Sequence, residues 1–264
     1  MTTAKSTGIS YSREGAVGRI LIDRPDERNM LLPDALAALK DIAAELARDR
    51  DVHVVVITGS GTEYFSAGLL NPDLKLAMGK EGVLDLVALA NATFDAVEAL
   101  PQVVIAAING DIRAGAVELA LACDIRIAAD HVTLAMPEAI WGGFPGAGAP
   151  VRLPGVVGHG RAIELIATGR EIDATEMDRY GLVEHVVPSD QLASAVDELV
   201  GQLTANGPLA LRGAKRIARL RHEPGFAAAR ELSDTLRHAF EYTADADEGV
   251  AAHKEGRPAR FTGR

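Results

Sequence analysis

Short runs of β-branched and apolar residues alternate along the chain with longer stretches of helical period. "VGRILI" (17–22), "VHVVVIT" (52–58), "VVIAAI" (103–108) and "VEHVV" (183–187) have the length and residue preference of strands. Several are almost continuously apolar, as strands covered on both faces must be. Between them, "PDALAALKDIAAELARD" (33–49) sets Leu36, Leu39, Ile42, Ala43 and Leu46 on one stripe with charges opposite, and Pro33 stands near its start. The stretch 81–100 predicts a second helix, ended by Pro101. "GRAIELIATG" (160–169) predicts a third, entered from a glycine- and proline-rich loop over 143–159.

After "TANGP" (204–208) the strand pattern stops. "LALRGAKRIARL", "FAAARELSDTLRHAFEY" and "ADEGVAAHKEG" all have helical period. The pattern therefore predicts an α/β core over 1–205 and a helical segment over 206–264, without a sequence repeat. A chain of 264 residues with 48% hydrophobic composition has ample material for one such core.

A net charge of −10 and an isoelectric point near 5.2 argue against general affinity for nucleic acid or an anionic membrane, so an anionic ligand needs a local basic cluster. One cysteine, Cys123, excludes an intramolecular disulfide, and its apolar neighbours make it a small buried hydrophobe. The polar start "MTTAKSTGIS" lacks the apolar centre of a secretory leader, and no uncharged apolar segment reaches ~18 residues. A cytoplasmic location is expected. The histidines have no metal-ligand spacing, which predicts no metal site. "GHGRAI" does not follow a strand, so the dinucleotide fingerprint is not met, and neither a P-loop nor G-x-S-x-G occurs.

The candidate chemistry starts in "RAGAVELALACD" (113–124). On a helix, Glu118 has Ala114, Gly115, Leu121 and Ala122 as its same-face neighbours, and none of them can pair with a charge. A carboxylate buried in that setting needs a partner elsewhere, a raised pKa or a use. "TGSGTEYFSAGLL" (58–70) follows the strongest strand, and Ser66, Ala67 and Gly68 are small enough for a ligand to approach the main chain.

Together these stretches resemble the enoyl-CoA hydratase/isomerase family, also called the crotonase family. The resemblance is carried in order by "IDRPDERNML" (22–31), "FSAGLLNPDLK" (65–75), "NGDIRAGAVELALACDIRIAA" (109–129), "MPEAIWGGFPGAG" (136–148), "TGREIDATEMDRYGLVEHVVP" (168–188), "GPLALRGAK" (207–215) and "GRPARFTGR" (256–264). It implies an α/β fold, a crotonase-like spiral of β-β-α units forming two nearly perpendicular sheets, with a helical C-terminal trimerisation region. It also implies an acyl-CoA thioester as substrate, with CoA part of that substrate and no separate cofactor, and a homotrimer or homohexamer.

In the family, two backbone N–H groups stabilise the enolate oxygen of the thioester. The resemblance assigns them to Ala67 and Gly115, and the free N–H and positive dipole end of a helix opening at Gly115 suit that task. It assigns the two water-holding carboxylates of the hydratases to Glu118, as base, and to Glu138, 20 residues on, as the group exchanging the α-carbon proton. Double-bond isomerisation, for which one carboxylate suffices, and a non-catalytic member are the alternatives. For the CoA portion it points to Arg24 and Arg28, with Phe261 and Arg264 contributed by a neighbouring subunit. Ser66, Gly68, Leu70 and Gly146 fall on its acyl-binding loops, and Trp141 lies either there or in the core. Two departures stand out: "AGLLNPDLK" looks like a short insertion, and "NGDIRAGA" brings charge close to the oxyanion site while Ala114 and Ala116 replace glycines. Arg113 has two readings, an internal pair with Asp111 or another carboxylate, and a receiver for a carboxylate or polar group on the acyl chain.

Overall fold

The structure is a computed structural model, and it describes residues 7–141, 143, 145–222, 243–245, 248, 252, 255, 257–258 and 260–264. Its strands are β1 (Ile9–Glu14), β2 (Val17–Ile22), β3 (Val54–Gly59), β4 (Tyr64–Ser66), β5 (Val103–Ile108), β6 (Asp111–Arg113), β7 (Ile125–Ala129), β8 (Thr133–Ala135), β9 (Ile172–Asp173) and β10 (His185–Val187). Its helices are α1 (Pro33–Leu46), α2 (Pro72–Glu98), α3 (Gly115–Ala122), α4 (Ala149–Val157), α5 (His159–Thr168), α6 (Ala174–Tyr180), α7 (Leu192–Thr204) and α8 (Pro208–His222).

The strands form two sheets, one in the order β1-β2-β3-β5-β7-β10 and a smaller one in the order β4-β6-β8-β9. Each of β3, β5 and β7 is followed by a short strand of the smaller sheet and then by helical structure, so a β-β-α unit is repeated in geometry without being repeated in sequence. All six residues of β5, and all but Thr58 in β3, are buried, with α7 packed on both strands and β4 against β3. β2 alternates, with Gly18, Ile20 and Ile22 inward. Phe65, Phe94, Leu36, Leu39, Ile105 and Leu119 belong to one continuous core.

Two local expectations are adjusted. The helix expected over 81–100 is the part of α2 that follows Gly79, whose φ of +67° and ψ of 177° break its course; an additional segment from Pro72 precedes it, capped by the Asn71 side chain, which accepts the Leu74 N–H. The proline-rich stretch expected as loop contains α4: Pro150 falls in the first turn, where its missing N–H costs nothing, and Ala149, Leu153 and Val157 are buried. Among the described residues no strand follows β10, and α8 is present; the two later segments of helical period lie almost wholly outside the described residues. No described helix is long and apolar enough to cross a membrane, and no described group of three His, Cys, Asp or Glu side chains could hold a metal ion.

The small sheet positions the site. β4 and β8 both pair with β6, so the loops that leave these strands, 67–70, 114–115 and 136–138, lie side by side. The Ala114 N–H donates to Ala135 O at 2.9 Å and ties two of them directly.

Candidate active site

α3 carries Glu118, and its C-terminal end is held by Arg126. That buried guanidinium donates to Cys123 O at 2.9 Å, Leu182 O at 2.8 Å and Glu184 at 2.5 Å, satisfying carbonyls that the helix leaves open. Lys215 of α8 pairs with Asp124 at 2.6 Å and fastens α8 to the same end. Burial pushes the Cys123 thiol up to about 12, so it has no thiolate chemistry.

At its N-terminal end α3 opens beside the 67–70 loop. Gly68, at φ +87°, lies so close to the chain leaving β6 that a Cβ there would sit 2.6 Å from Arg113 O and 2.9 Å from Gly115 N. Ser66, fully buried, accepts the Gly68 N–H at 3.0 Å, and Gly68 O accepts the Leu31 N–H at 2.9 Å. Ala114 turns the chain into α3 at φ +49°, ψ −126°, a conformation that costs a residue with a Cβ about 1–3 kcal/mol.

Of the two expected backbone donors, one is engaged within the chain. The Ala67 N–H donates to Arg28 O at 2.9 Å and is not available to a ligand. Among the described residues, the N–H groups of Leu69 and Gly115 meet no acceptor, and the Leu69 side chain packs directly on Gly115. Leu69 was not among the site residues expected from the sequence. The signal was the glycine before it, whose left-handed φ turns successive N–H groups in different directions.

Glu118 is 1% exposed, yet it is not without partners. Its Oε1 accepts the N–H of Ala147 at 2.8 Å and of Ala149 at 3.0 Å. Burial raises its pKa, while those N–H groups and the positive charge of Arg152 oppose the rise. Glu138 lies in a 3-10 turn over Pro137–Trp141. Its Oε2 is buried and meets no hydrogen-bond partner among the described residues. Desolvation pushes its carboxyl up to about 7, and the charge of Glu118 adds to the push, which places the two carboxyls within electrostatic reach of each other. The arrangement can hold a proton on one carboxyl and accept one on the other, beside unused N–H donors.

The basic residues separate clearly. Arg113 donates to Thr133 O at 2.7 Å, Thr133 Oγ1 at 2.6 Å, Asp111 at 2.9 Å and Glu171 at 2.6 Å. It therefore joins β6 to β8 and the residue before β9, the arrangement that the internal-pair reading expects. Arg24 is likewise engaged, with Glu27 at 2.7 Å, Asp34 at 2.9 Å and Thr7 O, and its side chain is 8% exposed. Arg28 is exposed, stands 5.6 Å from the Tyr64 ring centroid, and makes no ion pair among the described residues. Asn29, almost fully buried, fixes the loop carrying these arginines by donating to Ser60 O and Tyr64 O.

Leu70 is half-buried against the core, and Gly146 O accepts the Asn91 side-chain N–H at 2.9 Å. The side chain of Trp141 lies outside the described residues. Phe261 packs near Gly207, and Asp245 accepts the N–H groups of Thr262 and Gly263 while donating its own to Arg264 O. The partners described for the 261–264 segment thus belong to 207–208 and 245 of its own chain, not to the loops bearing the glutamates.

Comparison with known proteins gives one consistent result. The enoyl-CoA hydratase/isomerase family profile matches residues 12–264. A crotonyl-CoA hydratase from Syntrophomonas wolfei is 35% identical over 254 residues, covering 96% of this chain and 97% of that one. A carnitinyl-CoA dehydratase from Citrobacter koseri is 34% identical over 266 residues, covering 98% and 100%. The crystal structure of an enoyl-CoA hydratase from Bacillus anthracis superposes with a TM-score of 0.94 at 36% identity, covering 97% of this chain and 100% of that one. With the fold, the paired glutamates and a match over nearly its whole length in agreement, the chain belongs to the enoyl-CoA hydratase/isomerase family.

Proposed function

We propose that this enzyme is an enoyl-CoA hydratase, adding water across the 2,3 double bond of an enoyl-CoA thioester to give a 3-hydroxyacyl-CoA. The observation that carries the reading is the pair of desolvated carboxyls with opposite polar surroundings, buried Glu118 gripped by two N–H groups and half-buried Glu138 by none outside its own backbone. The thioester oxygen is received by the N–H groups of Leu69 and Gly115, each worth on the order of a hundredfold in rate as charge develops there. Glu118 takes a proton from water through its free oxygen, the hydroxyl bonds to C3, and Glu138 delivers a proton to C2. The product carries both added groups, and proton exchange with solvent restores the two carboxyls.

For the CoA portion, exposed Arg28 is the phosphate donor in this reading, and Phe261 and Arg264 act from a neighbouring subunit of a trimer or hexamer. Isomerisation remains the competing reaction, and a product assay that separates a 3-hydroxyacyl-CoA from a shifted double bond decides between them. Glu118→Gln and Glu138→Gln are each expected to lower hydration by orders of magnitude while circular dichroism and assembly size stay unchanged. Turnover near that of the unmodified enzyme in either variant overturns the assignment.

A further inference from the structure

The segment 146–149 grips Glu118 with the N–H ends of its peptide groups, and every carbonyl end of the same peptides is also occupied. The peptide between Gly146 and Ala147 gives its N–H to Glu118 and its oxygen to Asn91 Nδ2 of α2, at 2.9 Å. The peptide after Ala147 gives its oxygen to Arg152 Nη1, at 3.3 Å. The peptide between Gly148 and Ala149 gives its N–H to Glu118 and its oxygen to the first-turn N–H groups of Val151 and Arg152, at 3.1 and 2.9 Å. A trans peptide is planar with its N–H and C=O on opposite sides, so fixing one end fixes the direction of the other.

Arg152 is itself fixed. Its side chain is 9% exposed and is bonded to Glu98 at 2.8 Å and Asp95 at 2.5 Å, both on α2. Gly148, at φ +120°, leaves the space the guanidinium occupies, which a Cβ would fill. The clamp thus runs from α2 through the Asn91 side chain to the Gly146–Ala147 peptide, whose N–H ends on Glu118 Oε1, while Arg152, tied to α2, fixes the next peptide through its side chain and the Gly148–Ala149 peptide through its backbone N–H.

We propose that Asn91 and Arg152 are positioning residues for Glu118, acting through the 146–149 peptides: they hold one carboxylate oxygen and leave the other directed to the reacting water. The proposal rests on the hydratase reading for the purpose it gives Glu118. The charged groups around that carboxyl are Glu138 in the 3-10 turn, Arg152 on α4, Asp95 and Glu98 of α2 across from it, and Arg219 of α8 paired with Glu98.

Asn91→Leu keeps side-chain volume but cannot donate, and Arg152→Lys keeps the charge but loses the planar fork. With carboxyl-labelled glutamate and Glu118→Gln to assign the signal, titration of Glu118 is read in the substrate-free enzyme. We expect its midpoint to rise by about one pH unit in Asn91→Leu, kcat to fall roughly tenfold, KM to stay within about twofold, and Arg152→Lys to retain most of kcat. A shifted midpoint in an enzyme that hydrates no enoyl-CoA sinks the hydratase reading and leaves the clamp standing. A lower melting temperature with the midpoint and kcat unmoved overturns the proposal, because a purely structural residue would do only that.

Discussion

Replacing Glu138 by Gln tests the buried carboxyl by stability alone. Its pKa is pushed from an ordinary 4.5 to about 7 by desolvation first and by the charge of Glu118 second. Between those two values the folded chain holds a proton that the unfolded chain has released. The stabilisation from this group is therefore complete below about pH 4.5 and is lost as pH rises through about 7. At about 1.4 kcal/mol per pH unit the interval amounts to about 3 kcal/mol, an upper figure because the side chain keeps some solvent contact. Gln does not titrate, and any cost of burying its amide is the same at every pH. The stability of Glu138→Gln minus that of the unmodified chain should then grow by about 2–3 kcal/mol between pH 4 and pH 8.5. Urea unfolding at fixed protein concentration across that range measures it. Parallel stability curves for the two proteins would refute the claim that Glu138 is a desolvated, elevated acid. On the proposed mechanism the same variant loses hydration, so stability and activity move in opposite directions from one atom change.

Gly68→Ala places a Cβ against Arg113 O, a backbone atom with nowhere to go, at a φ that favours glycine. It should cost at least about 2 kcal/mol in unfolding free energy and lower kcat about a hundredfold by displacing the Leu69 N–H; a variant with full kcat removes Leu69 from the oxyanion site. Arg113→Leu strips partners from Asp111, Glu171 and Thr133 and should destabilise by about 1–3 kcal/mol in a thermal melt, with unsubstituted and carboxylated enoyl thioesters affected alike. A loss confined to the carboxylated thioesters would make Arg113 a substrate contact.

The sequence made legible those elements whose period survives over many residues, namely α1, most of α2 and the near-continuous apolar strands β3 and β5. β4, β6 and β8 are three residues long, too short for any period, although they place the whole site. β1 is mostly exposed and contributes little to the core, so no apolar pattern announces it. At the site, both glutamates were identifiable from their type, their spacing and the resemblance. The clamp at 146–149 was not, because peptide groups are identical at every position and only the fold selects which N–H points where. Arg24 and Arg28 show the same limit in side chains. Four residues apart in one basic loop, the first is covered by Glu27 and Asp34 while the second is left in solvent.

Burial alone would give Glu118 and Glu138 the same character, since desolvation is the largest influence on each and raises both. What separates them is the supply of donors. Glu118 has two N–H groups on one oxygen and Arg152 nearby, all of which favour its ionised form. Glu138 has only its own backbone N–H, and its inner oxygen has no partner among the described residues. The ionised form is therefore favoured more by the surroundings of Glu118, and its negative charge raises the pKa of Glu138 further. Coupling of this kind turns a modest difference in hydrogen bonding into a division between a base and an acid near neutral pH. It also makes the division reversible, because neutralising Glu118 removes the charge that helps keep Glu138 protonated. On the proposed hydration mechanism, the resting protonation state then depends on the N–H groups of Ala147 and Ala149 and on the positive charge of Arg152, which favour ionised Glu118.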